Sequence, residues 1–237
     1  AIILDELHSL VTSKRGVLLS LALARAQSIA PEARRIGLSA TVADPEALQH
    51  WLAPTGNGPV PLVMGSAGAA PLIRILKSAE RVPWSGHSSR YAIEEVYEEI
   101  TRAKMTLIFV NTCSQAEMTF QWLWEANEAN LPIALHHGSL DVGQRRKVEA
   151  AMAAGKLKAV VCTSTLDLGI DWGDVDLVIH VGAPKGSSRL LQRIGRSNHR
   201  LDSPSEALLV PSNRFEVLEC EAALQAGLAT RNAALEV

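Results

Sequence analysis

The sequence predicts an α/β protein built on parallel sheets. Short, largely apolar runs such as Met105–Val110, Ala159–Thr163 and Leu177–Val181 have the length and near-continuous apolarity of strands covered on both faces. Helical segments of about ten to fifteen residues separate most of them, the spacing of crossover connections. With 237 residues, 47% hydrophobic and 20% charged, the chain can bury one large core or two small ones.

The elements follow in order. Ala1–Leu4 is the end of a buried strand, and Gly16–Ala30 a helix closed by Pro31. Arg35–Ser39 gives a second short strand. Asp44–Trp51 is a helix with Asp44 at its cap and Pro45 in its first turn. The Gly/Pro-rich stretch Pro54–Gly68 breaks the pattern, and Pro71 to Ser89 is expected as a connector carrying one edge strand. Helix Tyr91–Arg102, strand Met105–Val110, helix Ser114–Asn127 and strand Ile133–His136 come next. Helix Val142–Ala154 leads to strand Ala159–Thr163, strand Leu177–Val181 to helix Ser188–Ile194, and strand Ala207–Pro211 to helix Arg214–Ala226.

Composition excludes several classes. The net charge of −2 is no polycation, so any nucleic-acid surface must come from local segregation of charge. Cys113, Cys162 and Cys220 are odd in number and far apart, which argues against a disulfide framework or a Cys-x-x-Cys site and fits a reducing cytoplasm. No apolar run approaches the roughly 20 residues of a membrane span, so no membrane partner is expected. The chain begins on a strand without Met, as expected of a piece of a longer protein.

Two segments carry chemistry. In "AIILDELHSL" a strand runs into Asp5, Glu6 and His8, at the carboxyl edge where open α/β sheets place ligands. Asp5 could hold Mg²⁺ while Glu6 faces a water as base or orienter; the alternative is a loop that simply begins with two carboxylates. Two histidines at helical spacing with a third ligand, as a zinc hydrolase needs, do not occur here. In "SSRLLQRIGRSNHR" a continuous helix would align Arg189, Arg193, Arg196 and Arg200, and no acidic residue lies between Asp176 and Asp202. Uncompensated guanidinium groups fit phosphate binding, against a solvated basic helix end. Gly195 costs about 1 kcal/mol inside a helix, so the helix is expected to end there and swing Arg196 outward.

The order DELH, SAT (Ser39, Ala40, Thr41), LIFVNT, HHGSL, TSTLDLGID, QRIGRSNH resembles motifs II, III, IV, IVa, V and VI of a superfamily 2 helicase. The "SKRG" after DELH, the HHGSL form and "PKGSSRLLQRIGRSNHR" look most similar to the Lhr (large helicase-related) family, its ligase-associated DEXH-box branch included. The resemblance implies RecA-like, P-loop NTPase-type parallel sheets with flanking helices, in one partial and one complete lobe. It places the rear of the first lobe at 1–70, a linker at 71–90, the second lobe at 91–213, and the start of a winged-helix type domain at 214–237. ATP and Mg²⁺ are the implied cofactors. Asp5 would coordinate Mg²⁺, Glu6 would position or deprotonate the attacking water, and His8 would bond Gln192.

The resemblance further implies that Ser39, Ala40 and Thr41 couple hydrolysis to lobe movement. Gly169 and Asp171 would meet the nucleotide, Arg196 would be the arginine finger, and Arg193 and His199 would add contacts to phosphate. Thr163, His137, Gly138, Ser139, Asn111, Lys14 and Arg15 would grip a nucleic-acid backbone, which positions without reading sequence. The implied partner is single-stranded or partly duplex DNA, or RNA, held by a monomeric motor core, with DNA ligase or nuclease partners in the ligase-associated branch. His199 stands where the last motif usually has Arg, and no Gly-x-x-x-x-Gly-Lys-Ser/Thr occurs in the chain. The reading is thus the central segment of a 3′–5′ ATP-dependent helicase, with little ATPase of its own. The rivals are a non-catalytic nucleic-acid-binding module of the same fold and a Ski2-like or RecQ-like motor.

Overall fold

The computed structural model describes residues 1–11, 13–39, 44–53, 60–64, 71–167, 175–184, 187–195, 197 and 204–235. It divides into two compact units, Ala1–Ser66 and Ala67–Val237.

In the first unit β1 (Ile2–Leu4) pairs in parallel with β2 (Arg35–Gly37), Ile2 opposite Arg35 and Leu4 opposite Gly37. Helices α1 (Leu7–Val11), α2 (Lys14–Ile29) and α3 (Pro45–Leu52) accompany them. The Ser13 hydroxyl accepts the Gly16 amide and Asp44 that of Ala47, each satisfying one orphan donor of a first helical turn. Helix α1 has no counterpart among the expected elements, because five residues are too few to show a helical period. It turns into α2 so sharply that a Cβ on Gly16 would lie 1.9 Å from the Leu10 carbonyl oxygen. Leu4, Leu7, Leu23 and Leu52 form a small core, while Ile3, Ile36, Val17, Leu18 and Leu21 are exposed.

The second unit is built on six parallel strands in the order β3-β8-β7-β4-β6-β5. These are β3 (Leu72–Ile75), β4 (Thr106–Phe109), β5 (Ile133–His136), β6 (Ala159–Cys162), β7 (Leu177–Val181) and β8 (Glu206–Val210). Helices α4 (Ile93–Arg102), α5 (Cys113–Glu125), α6 (Val142–Ala153), α7 (Ser187–Ile194) and α8 (Arg214–Leu235) flank them, with short 3₁₀ turns at Arg90–Ala92 and Ser164–Leu166. Alternate residues of β4 feed opposite layers. Ile108 joins Val96, Ile100 and Leu123 on one face, and Leu107 and Phe109 join Met152 and Leu166 on the other. Burial on both faces is why these strands are apolar without alternation.

The stretch expected as a connector with one edge strand supplies β3, the edge strand bonded to β8. One segment sits differently from expectation. The start of α8, expected to open a further domain, is seated on the second sheet: Cys220 is buried against Leu190, Ile194, Ala207 and Leu209. Its small apolar side chains Cys220 and Ala223 let the helix lie close to the strands.

Stability should follow this burial. Replacing the fully buried Ile108 by Ala is expected to cost about 2–5 kcal/mol in chemical denaturation. Removing the surface Arg74–Glu99 pair, whose Arg side chain is half exposed, should cost under about 1 kcal/mol.

Candidate functional site

In both units the chemistry-bearing residues lie at the carboxyl ends of parallel strands. In the first, β1 ends at Leu4 and the chain turns abruptly. Glu6 has a φ of 52°, a left-handed conformation worth roughly 1–2 kcal/mol of strain in a non-glycine residue. Its amide donates to Asp5 Oδ1 at 2.9 Å, leaving an exposed carboxylate whose oxygens suit a hard divalent cation. The Glu6 side chain folds back, with Oε2 3.5 Å from His8 Nε2, and His8 Nδ1 lies 2.8 Å from Ser39 Oγ. The backbone fixes this chain of three: the Leu7 amide donates to Leu38 O and the Leu38 amide to Leu4 O. Both His8 nitrogens are thus engaged within the first unit. Lys14 and Arg15 are exposed in the first turn of α2. Ala40 and Thr41 lie outside the described residues.

In the second unit the strand ends form a row. Asn111 follows β4, and its Nδ2 donates to Ala183 O beyond β7. Gly138 and Ser139 are exposed after β5, with Ser139 Oγ 3.6 Å from Cys113 Sγ. Thr163 follows β6, is largely buried, and donates its amide to His136 O. The His136 ring spans Thr165 Oγ1 at 2.9 Å and Glu149 Oε1 at 3.0 Å, pinning the Ser164–Leu166 turn to β5 and α6. His137 corrects the expectation that it grips a nucleic-acid backbone. Its ring is 1% exposed and lies 3.4 Å from Glu117, because the residue packs inward at the end of β5.

Arg193 is the second correction. Expected as a phosphate contact without a counter-ion, it is buried and bidentate on Asp167, Nε to Oδ1 at 2.8 Å and Nη2 to Oδ2 at 3.4 Å. Its Nη1 donates to His180 Nε2 at 2.6 Å, and the guanidinium lies 4.7 Å from the centre of the Phe109 ring. The counter-ion is 26 residues away in sequence, on the turn after β6, so a search between Asp176 and Asp202 could not find it. With Nε2 accepting, His180 donates Nδ1–H to Gly182 O at 3.1 Å. Burial, then the Arg193 charge, depress its pKa to about 3, so the ring is neutral.

Arg189 stays exposed, 3.8 Å from Asp167, and Gln192 is half-buried on α7. The helix stops at Ile194, ahead of Gly195. Gly169, Asp171, Arg196, His199 and Arg200 lie outside the described residues.

Sequence reasoning missed His136, His180 and Asp167. Only Asp167 left a signal, an acidic side chain between two leucines in the hydroxyl-rich turn of "TSTLDLGID". Among the described residues no group of three or more His, Cys, Asp or Glu is placed to hold a metal, and no helix is long and apolar enough to cross a membrane.

Comparison with known proteins agrees with this arrangement. Residues 90–200 match the helicase conserved C-terminal domain. The chain is 36% identical over 237 residues to the ATP-dependent helicase Lhr-Core of Methanothermobacter thermautotrophicus, covering 96% of this chain and 27% of that protein. A solved structure of Mycobacterium smegmatis helicase Lhr bound to ssDNA and AMP-PNP superimposes with a TM-score of 0.84 at 32% identity, covering 96% of this chain and 30% of that one. Yeast Dbp5 bound to RNA and ADP BeF3 shares the fold, with a TM-score of 0.71 at 18% identity. Parallel-stranded RecA-like units with motif residues at their strand ends make this chain a segment of a superfamily 2 helicase. Within that class it is a homologue of the Lhr helicases, and it spans about a quarter of the length of the Lhr-Core relatives it matches.

Two measurements check the Arg193 network. Arg193→Met leaves Asp167 charged and buried, and should lower unfolding free energy by about 3–5 kcal/mol. In the folded chain His180 stays neutral down to about pH 3, while the unfolded ring takes a proton near 6.5. Its contribution is therefore complete above pH 6.5 and falls by about 1.4 kcal/mol per pH unit as the pH drops toward 3. Denaturant midpoints measured across that window should flatten in His180→Gln.

Proposed function

We propose that the protein couples ATP hydrolysis to movement along a single nucleic-acid strand, DNA with 3′–5′ polarity, and so unwinds duplex. The observation that carries this reading is the Glu6–His8–Ser39 chain, which joins a strained carboxylate to the end of the neighbouring strand. In that reading Asp5 holds the Mg²⁺ of ATP, which neutralises charge on the phosphates. Glu6 orients the attacking water and takes its proton, held at a fixed angle by its left-handed backbone and by His8. A change at the Glu6 carboxylate reaches β2 through the His8 ring, the coupling role assigned to Ser39 with Ala40 and Thr41.

Gly169 and Asp171 contact the nucleotide ribose, Arg196 stabilises charge on the transferred phosphoryl group, and His199 stands beside it. Arg193 is not given a phosphate; its part is to hold α7, which precedes Arg196, against the turn bearing Asp167. Gly138, Ser139 and Thr163, with Asn111, line the strand path in the second unit, and Lys14 and Arg15 that in the first. Residues 1–66 act as the rear of one lobe, and the second unit, with β3 and the start of α8 on its sheet, as a second lobe. A monomeric motor in the cytoplasm fits three unpaired thiols. The ligase-associated motif forms support a DNA ligase or nuclease partner and a place in DNA repair.

The 237 residues contain no phosphate-cradling Gly-x-x-x-x-Gly-Lys-Ser/Thr. ATP turnover by this chain should therefore stay near background with and without single-stranded DNA. Turnover stimulated many-fold by DNA would show that the chain is itself the motor. In the full-length protein Arg196→Ala should lower hydrolysis by on the order of 10³-fold or more while strand binding stays within a few-fold. Lost binding with normal hydrolysis would refute the role.

A further inference from the structure

The segment Lys77–Arg90, which no motif absorbed, is fastened over the same strand ends. The Arg214 amide and Nε donate to the carbonyls of Pro83 and Val82, Asn213 Nδ2 donates to Gly86 O at 2.8 Å, and Gln115 Nε2 donates to His87 O. Asn213 and Arg214 follow β8 and Gln115 follows β4, so the strap crosses the carboxyl ends of the strands between them. Gly86 makes the bend possible with a φ of +103°, a conformation that side chains rarely adopt.

So many anchors would ordinarily serve to bury an aromatic residue. Here they hold one outward. Trp84 is 69% exposed, and the Arg214 guanidinium sits 4.0 Å from its ring centre. The pair presents an aromatic face braced from behind by a cation. The strap is basic, with exposed Lys77, Arg81 and Arg90 against Glu80. An indole face with interleaved positive charge suits a nucleobase and its phosphate.

We propose that Trp84 is a stacking platform for one base of a single strand, and that Arg214 braces the indole and attracts the adjoining phosphate. The site extends the row formed by Asn111, Thr163 and Gly138–Ser139. From β8 to β5 that row spans four strand spacings, roughly 19 Å, enough for several nucleotides. The proposal rests on the strand-binding reading above.

Fluorescence anisotropy of a labelled oligothymidylate titrated with the 237-residue chain tests it. Trp84→Leu should weaken binding about 5- to 100-fold, Trp84→Phe by less than about threefold because it keeps a π-face, and neither should shift the denaturation midpoint. For an abasic oligomer of the same length, which keeps the phosphates, Trp84→Leu should change nothing. Unchanged binding by Trp84→Leu beside a clear loss in Thr163→Ala would overturn the platform and leave the strand path standing. Equal losses in Trp84→Leu and Trp84→Phe, or a Trp84→Leu loss that persists on the abasic oligomer, would overturn stacking. No binding by the unaltered chain would refute the strand-binding reading itself, and the platform with it.

Discussion

The second unit depends on one buried ion pair. Asp167 closes the turn after β6, Arg193 lies on α7, and His180 stands on β7, so a single cluster joins three elements brought together only by the fold. Arg193 has every incentive to stay there. Its charge is met by two carboxylate oxygens, one Nη1 donor by a neutral imidazole, and its flat face by Phe109. A buried pair of this kind is a poor source of net stability but a strict determinant of geometry, because every displaced arrangement leaves a charge unpaired. The turn that leads toward Gly169 and Asp171 and the helix that leads toward Arg196 are therefore held at one fixed spacing.

Parallel topology does the rest of the positioning. Every strand of both sheets runs the same way, so every strand-to-helix turn opens on one edge of its sheet. Side chains from distant points of the sequence collect there without long loops, and their backbones are fixed by strand pairing. Two buried histidines refine the edge, each using both ring nitrogens. His136 holds the Ser164–Leu166 turn from the β5 side, and His180 holds Arg193 from the β7 side. The first unit repeats the device on a smaller scale with His8.

Much of this was legible in the sequence. Apolar runs such as Leu177–Val181 marked the buried strands, and cap residues such as Asp44 marked helix starts, because both signals are local. The motif residues at strand ends were legible for the same reason. What stayed hidden was pairing across sequence distance. Arg193 looked like a free cation because Asp167 sits on another element, and His137 looked like a surface donor because nothing local says that both adjacent histidines are buried at the end of β5. The strap around Trp84 was invisible as a structure, since its anchors Gln115, Asn213 and Arg214 come from later elements.

In the proposed strand-binding role, the carboxyl edge of the second sheet carries a single nucleic-acid strand. Hydrogen–deuterium exchange of the chain with and without a single-stranded oligonucleotide tests it most directly. Slower exchange confined to the segments around Val82–His87, Asn111–Gln115, His137–Leu140 and Thr163–Leu166 is the predicted result. No change at that edge, or protection at the opposite strand ends around Lys104–Thr106 and Lys156–Lys158, would contradict it.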